Sequence, residues 1–307
     1  MNVFITGGSG FVGRALGEGL VRAGHQVSVL TRSQPGSGRL PLGVTAVVGD
    51  PTLPGPWQDA AAQADLAVNL AGASIFGRWT PAYKDLILQS RVWTTTNLVE
   101  ALGRGEGPKS LLSTSAVGFY GFHGDEELTE KDPSGDGFLA EVSRQWEAAA
   151  LGAEKLGVRV VITRFGIVLG PDGGALAQML PLFRLGLGGP LGDGRQWFSW
   201  IHRQDLVNGL LFLAERNDLT GAFNLTSPGP VTNREFAKAL GRALSRPAFL
   251  PAPGFAVRLA LGEFGSVLLK GQRVLPTRLT NAGFKFLYPQ LDQALSDLVR
   301  RTPSQPC

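Results

Sequence analysis

The stretch Thr6-Gly7-Gly8-Ser9-Gly10-Phe11-Val12-Gly13 decides the fold. It follows the apolar run at residues 2–6 and opens a segment in which Val12, Leu16 and Leu20 recur at helical spacing before Gly24 closes it. Glycines at 7, 10 and 13 then have distinct tasks. Gly7 lets the chain turn sharply off the strand, Gly10 lets the backbone approach a pyrophosphate, and Gly13 allows close packing of helix on strand. The helix start adds free N–H groups and the positive end of a dipole. Gly7, Gly8, Ser9, Gly10, Phe11, Val12 and Gly13 are therefore the expected dinucleotide-binding loop.

Outward from that loop, the first 165 residues repeat a short β-branched run, a loop and an amphipathic helix. The pattern predicts strands at 2–6, 26–31, 45–48, 66–70, 110–114 and 159–163, with helices at 11–23, 81–104 and 138–156. Strands alternating with helices imply right-handed crossovers and a doubly wound parallel α/β sheet covered on both faces. After Gly166 the rhythm changes. Glycine and proline crowd residues 186–194, helices are expected at 204–215, 233–244 and 291–300, and 247–253 has the look of a rigid connector. The expected organisation is a cofactor domain at 1–165, with later strands returning to the sheet up to about residue 225. A smaller mixed α/β cap follows at 166–307 and includes a small C-terminal domain at about 247–301.

The end of the second strand selects between dinucleotides. A protein specific for NAD places an acid there to hold the ribose 2′-hydroxyl, whereas this chain has Arg32-Ser33 and no acid until Asp50. The planar fork of Arg32 suits a 2′-phosphate and Ser33 adds a hydroxyl donor, so NADP(H) is the expected cofactor. Asp50 is expected at the adenine edge, and Asn69, Ala71 and Gly72 beside the ribose and nicotinamide.

Composition narrows the chemistry. In 307 residues the only cysteine is the last, Cys307, and the three histidines, His25, His123 and His202, lack ligand spacing, so no disulfide framework and no metal site are expected. The net charge is +4, with 22 Arg and 7 Lys scattered nearly singly, which argues against a nucleic-acid partner. No run of 18 apolar residues and no leader segment is visible, so a cytoplasmic location without membrane association is expected.

These residues together resemble the short-chain dehydrogenase/reductases, and within them the extended, epimerase-like branch. The resemblance rests on Thr6–Gly13, Asn69-Leu70-Ala71-Gly72, Ser113-Thr114-Ser115, Gly192-Asp193-Gly194 with Ser199–Asp205, and Gly221–Leu225. Narrower phrases, including Arg78-Trp79, Trp146-Glu147 and Gly271–Pro276, resemble the atypical members that end in a small C-terminal domain of unknown function. The resemblance implies an NADP-dependent Rossmann-type oxidoreductase with a small-molecule substrate. It also implies a two-helix face of the kind that pairs into homodimers.

One departure matters most. The parent family uses a tyrosine, a lysine four residues later, and a serine that orients the substrate oxygen. Ser115 matches the serine, but Leu139 and Ser143 stand at the other two positions, and no Tyr-x-x-x-Lys occurs around Tyr83, Tyr120 or Tyr288. The expected catalytic hydroxyls are therefore Ser115 and Tyr120, Phe119-Tyr120-Gly121 being alternatively a packing turn. Where the family has an asparagine this chain has Arg91, which with Lys84 would favour an anionic substrate; Trp200 and His202 are further candidates for substrate contact or for the core. Two functions follow from the sequence: an epimerase-like NADP(H) oxidoreductase of unassigned substrate, or a non-catalytic NADPH-binding module acting as a redox sensor or protein-interaction protein.

Overall fold

The computed structural model describes residues 1–34, 40–107 and 109–301, and Cys307 lies outside them. The first half runs β1 (Asn2–Thr6), α1 (Phe11–Arg22), β2 (Gln26–Thr31), β3 (Val44–Val48), α2 (Trp57–Ala62), β4 (Leu66–Asn69), α3 (Pro81–Leu102), β5 (Ser110–Ala116), β6 (Glu127–Leu128), α4 (Phe138–Leu151) and β7 (Arg159–Phe165). The remainder runs β8 (Ile167–Gly170), α5 (Gly174–Arg184), β9 (Trp197–Phe198), β10 (Trp200–His202), α6 (Arg203–Glu215), β11 (Gly221–Leu225), β12 (Val231–Thr232) and α7 (Asn233–Leu244). It closes with α8 (Gly254–Leu261), α9 (Glu263–Leu268), β13 (Arg273–Val274), α10 (Thr277–Asn281) and α11 (Leu291–Arg301).

Seven strands pair in parallel in the order β11-β7-β5-β4-β1-β2-β3. This is the doubly wound sheet that the strand–helix alternation implies, and β11 is the strand that returns to it from the later part of the chain. Side chains alternate between its faces. Val3, Ile5, Val29 and Val68 join Leu16 and Leu20 of α1 and Leu206 and Leu210 of α6 on one face. Phe4, Ala67, Leu111 and Ile162 join Trp57 of α2 and Leu98 and Leu102 of α3 on the other. Each fully buried large apolar side chain contributes about 1.5–3 kcal/mol relative to exposure, so the two faces together anchor the sheet. Strand order reverses between β1 and β4, which opens a crevice outside the carboxyl ends of those strands.

The later elements form their own core. Phe183 of α5, Phe236 and Leu240 of α7, and Leu295 and Leu298 of α11 pack around Trp200. Trp200 is 0% exposed and donates its indole N–H to the Gly229 carbonyl at 2.9 Å, so it has no surface to offer a ligand. His202 is likewise enclosed: Nδ1 accepts the Gln204 N–H at 3.0 Å as the N-cap of α6, and the ring stacks on Tyr288. Asp205, in the first turn of α6, accepts the N–H groups of Leu287 and Tyr288, pinning the C-terminal segment to the sheet domain.

Capping requires Nδ1 of His202 to be unprotonated, and burial brings its pKa from 6.5 down to about 4 despite Asp297 at 3.4 Å. Between those two values the unfolded chain takes up a proton that the native ring refuses, so stability falls as pH drops from 6.5 towards 4, by up to about 3 kcal/mol. In His202→Asn, which keeps a capping acceptor, the slope of unfolding free energy against pH is expected to flatten across that window. Urea melts at several pH values measure it, and an unchanged slope rejects the assignment.

Candidate active site

At the crevice, Gly7, Gly8 and Gly13 stand where a side chain has no room. Gly7 has φ +69°, and a Cβ there would lie 2.7 Å from the Leu70 carbonyl carbon, so the loops after β1 and β4 touch backbone to backbone. A Cβ on Gly13 would lie 2.4 Å from the Gly7 oxygen, and one on Gly8 would enter Val29. Gly10 is different: it is exposed, and a Cβ would approach only the Gly7 oxygen, at 3.1 Å. The first intrahelical bond of α1 runs from the Arg14 N–H to the Gly10 carbonyl, so the preceding N–H groups have no partner in the helix. No side chain caps the helix and no acid occupies its first turn. A dinucleotide pyrophosphate fits this cradle, with its negative charge on an open helix start.

The other expected cofactor residues divide into three groups by exposure. Ser9, Arg32, Ser33, Asp50 and Gly72 are exposed, while Phe11, Val12 and Ala71 are half-buried around the crevice. Hydrogen bonds from Thr52 hold the Asp50 carboxyl below its usual range, and Arg32 nearby adds to this. Asn69 is instead internal. It accepts from Thr6 Oγ1 at 2.7 Å and donates to Thr95 Oγ1 at 2.8 Å, and Thr6 Oγ1 in turn takes the Ala71 N–H. Asn69 thus holds the β4 loop in shape, leaving Ala71 and Gly72 to face outward. Phe11 is gripped by a glycine turn: a Cβ on Gly170 or Gly173 would fall 2.5 Å from its ring, and the Arg203 guanidinium lies 4.8 Å above it.

Behind the crevice stands a buried polar network that spacing alone did not reveal. Ser115 Oγ donates to Glu147 Oε1 at 2.6 Å. Arg164 grips the same carboxylate with two nitrogens, at 2.9 and 2.8 Å, and its third donates to the Tyr120 oxygen at 2.9 Å. The Tyr120 hydroxyl donates onward to Asn224 Oδ1 at 2.8 Å, and the Arg164 guanidinium stacks on the Phe119 ring at 3.4 Å. Ser115 is 1% exposed and Tyr120 0%. Burial pushes the Tyr120 phenol up to about 12, outweighing the neighbouring Arg164. Its hydroxyl therefore stays protonated and engaged inside the protein at neutral pH.

Glu147, Arg164 and Asn224 are the three hydrogen-bonded members that the candidate residues did not include. A signal existed for one of them: Leu139, Ser143 and Glu147 recur every four residues on α4, so they share a helix face. The positions where the family carries tyrosine and lysine thus lead, one turn further, to a buried carboxylate. Leu139 packs on Gly118, where a Cβ would come within 3.2 Å of it.

The two expected cations differ. Lys84 pairs with Glu263 of α9 at 2.9 Å and sits 4.6 Å from the Phe138 ring centre, tying α3 to the C-terminal region. Arg91 donates to the Ile87 carbonyl and faces Trp146, and its guanidinium crowds Gly72, where a Cβ would lie 3.0 Å away. Among the described residues no carboxylate comes within ion-pair distance of it. Burial brings its pKa down to about 10, which leaves it charged at neutral pH. The described residues include no group of three or more His, Cys, Asp or Glu able to hold a metal, and no helix long and apolar enough to cross a membrane.

The sequence profile of the NAD dependent epimerase/dehydratase family matches residues 3–226, covering the sheet and the whole network. The chain belongs to that family. A second profile, a domain of unknown function named DUF1731, matches residues 252–298. Within this family the chain is 41% identical to the Arabidopsis thaliana epimerase family protein SDR39U1 homolog, described as chloroplastic, over 98% of this chain and 87% of that one. It is 37% identical to Bacillus subtilis epimerase family protein YfhF, over 97% and 98%. A crystal structure of human epimerase family protein SDR39U1 (isoform 2) with NADPH superposes at a TM-score of 0.86 with 36% identity, over 98% of this chain and 100% of that one. MoeE5 in complex with UDP-glucuronic acid and NAD superposes at 0.79 with 21% identity, covering 98% and 99%, a likeness of fold.

Proposed function

We propose that this chain binds NADP(H) across the carboxyl ends of β1 and β4 and acts as an epimerase-like oxidoreductase on a small anionic hydroxyl or carbonyl compound. One observation carries the substrate class: Arg91 brings a charge without a carboxylate partner to the Gly72 side of the crevice. A half-buried cation loses part of its hydration, and a bound substrate carboxylate or phosphate supplies an anion to answer it. When bound, NADP(H) supplies or accepts the hydride. The proton path differs from that of the parent family. Ser115 gives its own hydrogen to Glu147 and keeps lone pairs on Oγ. A substrate hydroxyl donating to Ser115 would therefore complete a chain ending on the Glu147 carboxylate. Tyr120 holds Arg164 and Asn224 in place in this reading. A homodimer through α3 and α4 belongs to the same reading, since Leu86 and Trp93 stand exposed on α3.

Arg32 sets the cofactor preference in this reading. Removing one charge-assisted contact to the 2′-phosphate costs about 1.5–3 kcal/mol. Arg32→Ala is thus expected to weaken NADPH about 10- to 150-fold while leaving NADH within about threefold, by equilibrium titration. Equal losses for both cofactors reject the role.

A second reading, a non-catalytic NADPH-binding module, draws on the near-complete burial of the Ser115 and Tyr120 hydroxyls. NADPH oxidation across a panel of small carbonyl acids and sugar nucleotides separates the two. The enzyme reading expects turnover of at least one anionic compound and a loss of about 100-fold or more in kcat for Ser115→Ala with NADPH affinity retained. NADPH binding without turnover anywhere on the panel overturns the enzyme reading in favour of the module.

A further inference from the structure

The outer side of α7 carries Arg234, Lys238 and Arg242 at four-residue intervals, and Arg246 follows just past the helix end. That spacing sets the three helical cations in line, about 6 Å apart along the axis. All four line a groove of about 740 Å³, and Phe249 and Pro251 line it as well. The arrangement is built at some conformational cost. Ser245 takes φ +53°, the one positive value among non-glycine residues described, and a Cβ on Gly241 would fall 2.5 Å from Ala248 Cβ. The chain thus folds back tightly on α7, which brings Arg246 and Phe249 to the groove. Phe249 is 71% exposed.

Little within the protein answers these charges. Arg234 donates to a backbone carbonyl, that of Asp193, and Arg242 forms an exposed ion pair with Asp292 at 2.7 Å. Exposed pairs of this kind are weak and exchange readily. Lys238 and Arg246 have no carboxylate within ion-pair distance among the described residues. The groove therefore combines clustered positive charge with an exposed aromatic ring, in a volume typical of small-molecule sites.

We propose that this groove is a second ligand site, separate from the glycine-loop crevice, for a phosphorylated small molecule with a planar group. The phosphate oxygens lie on Lys238 and Arg246, with Arg234 and Arg242 at the flanks, and the planar group packs on Phe249 and Pro251. The inference does not rest on the catalytic reading, because none of these residues belongs to the crevice.

The test uses the full chain with one equivalent of NADPH, so that the glycine loop is occupied and no excess nucleotide competes at the groove, and titrates ADP and inorganic pyrophosphate by calorimetry. ADP is expected to bind, and to bind about tenfold more tightly than pyrophosphate, because only ADP offers a ring to Phe249. Lys238→Glu with Arg246→Glu is expected to weaken ADP at least about tenfold while NADPH affinity stays unchanged. Phe249→Ala is expected to erase the advantage of ADP over pyrophosphate. Absence of ADP binding, or ADP binding indifferent to the double charge reversal, overturns the proposal. So does tighter capture of single-stranded oligonucleotide or anionic phospholipid vesicles than of ADP, which would make the groove a polyanion or membrane surface.

Discussion

Glu147→Leu is expected to lose about 3–5 kcal/mol of folding stability, because it leaves the Arg164 guanidinium charged, buried and without its carboxylate. Both side chains are under a tenth exposed, so water cannot take over from the lost partner. The damage spreads along the network: Ser115 loses its acceptor, and Arg164 is left with the neutral Tyr120 oxygen and the Phe119 ring. Replacing both partners, as Glu147→Leu with Arg164→Leu, removes the uncompensated charge and is expected to recover part of the loss, although Tyr120 then lacks a donor. Urea unfolding of the two single variants and the double variant forms the cycle. If Glu147→Leu costs less than about 1 kcal/mol, the network does not bear on stability as drawn.

The sheet was legible in the sequence because its signals are local. Alternating faces in β1, β2 and β4 and the glycine loop each fit within a dozen residues, and strand ends were expected to within two residues of those observed. The cap was less legible for a physical reason. Helix α5 carries Pro181 inside it and begins at Gly174 with φ +64°, so its composition mimics a loop. Helices α8 and α9 bury few side chains, and their pattern carries little periodic signal.

The candidate site divides along the same line. Residues that act through the backbone, such as Gly7 and Gly13, announce themselves by spacing. Glu147 and Arg164 meet only because α4 packs against β7 in the folded chain, and nothing in the intervening residues marks that pairing. Tyr120 illustrates the converse. Its identity suggests acid chemistry, while its position on a short turn with Gly121 at φ +72° directs the phenol into the interior.

Gly10→Val is expected to abolish NADPH binding in practice, with a loss of about 100-fold or more, while the protein stays folded. The contrast among the loop glycines supports this. A side chain on Gly13 would strike Gly7 and Gly8, so Gly13→Val distorts the loop itself and lowers the melting temperature as well as binding. At Gly10 the same addition meets only one oxygen, at 3.1 Å, a contact that a few tenths of an ångström relieves. The remaining bulk projects into the space over the start of α1, where the pyrophosphate would take up unpartnered N–H groups. Losing two such charge-assisted bonds costs about 3–6 kcal/mol, which corresponds to 100-fold at the least. Fluorescence titration with NADPH, alongside a thermal melt of each variant, separates the effects. If Gly10→Val binds NADPH within about fivefold of the parent, the cofactor does not lie over this loop.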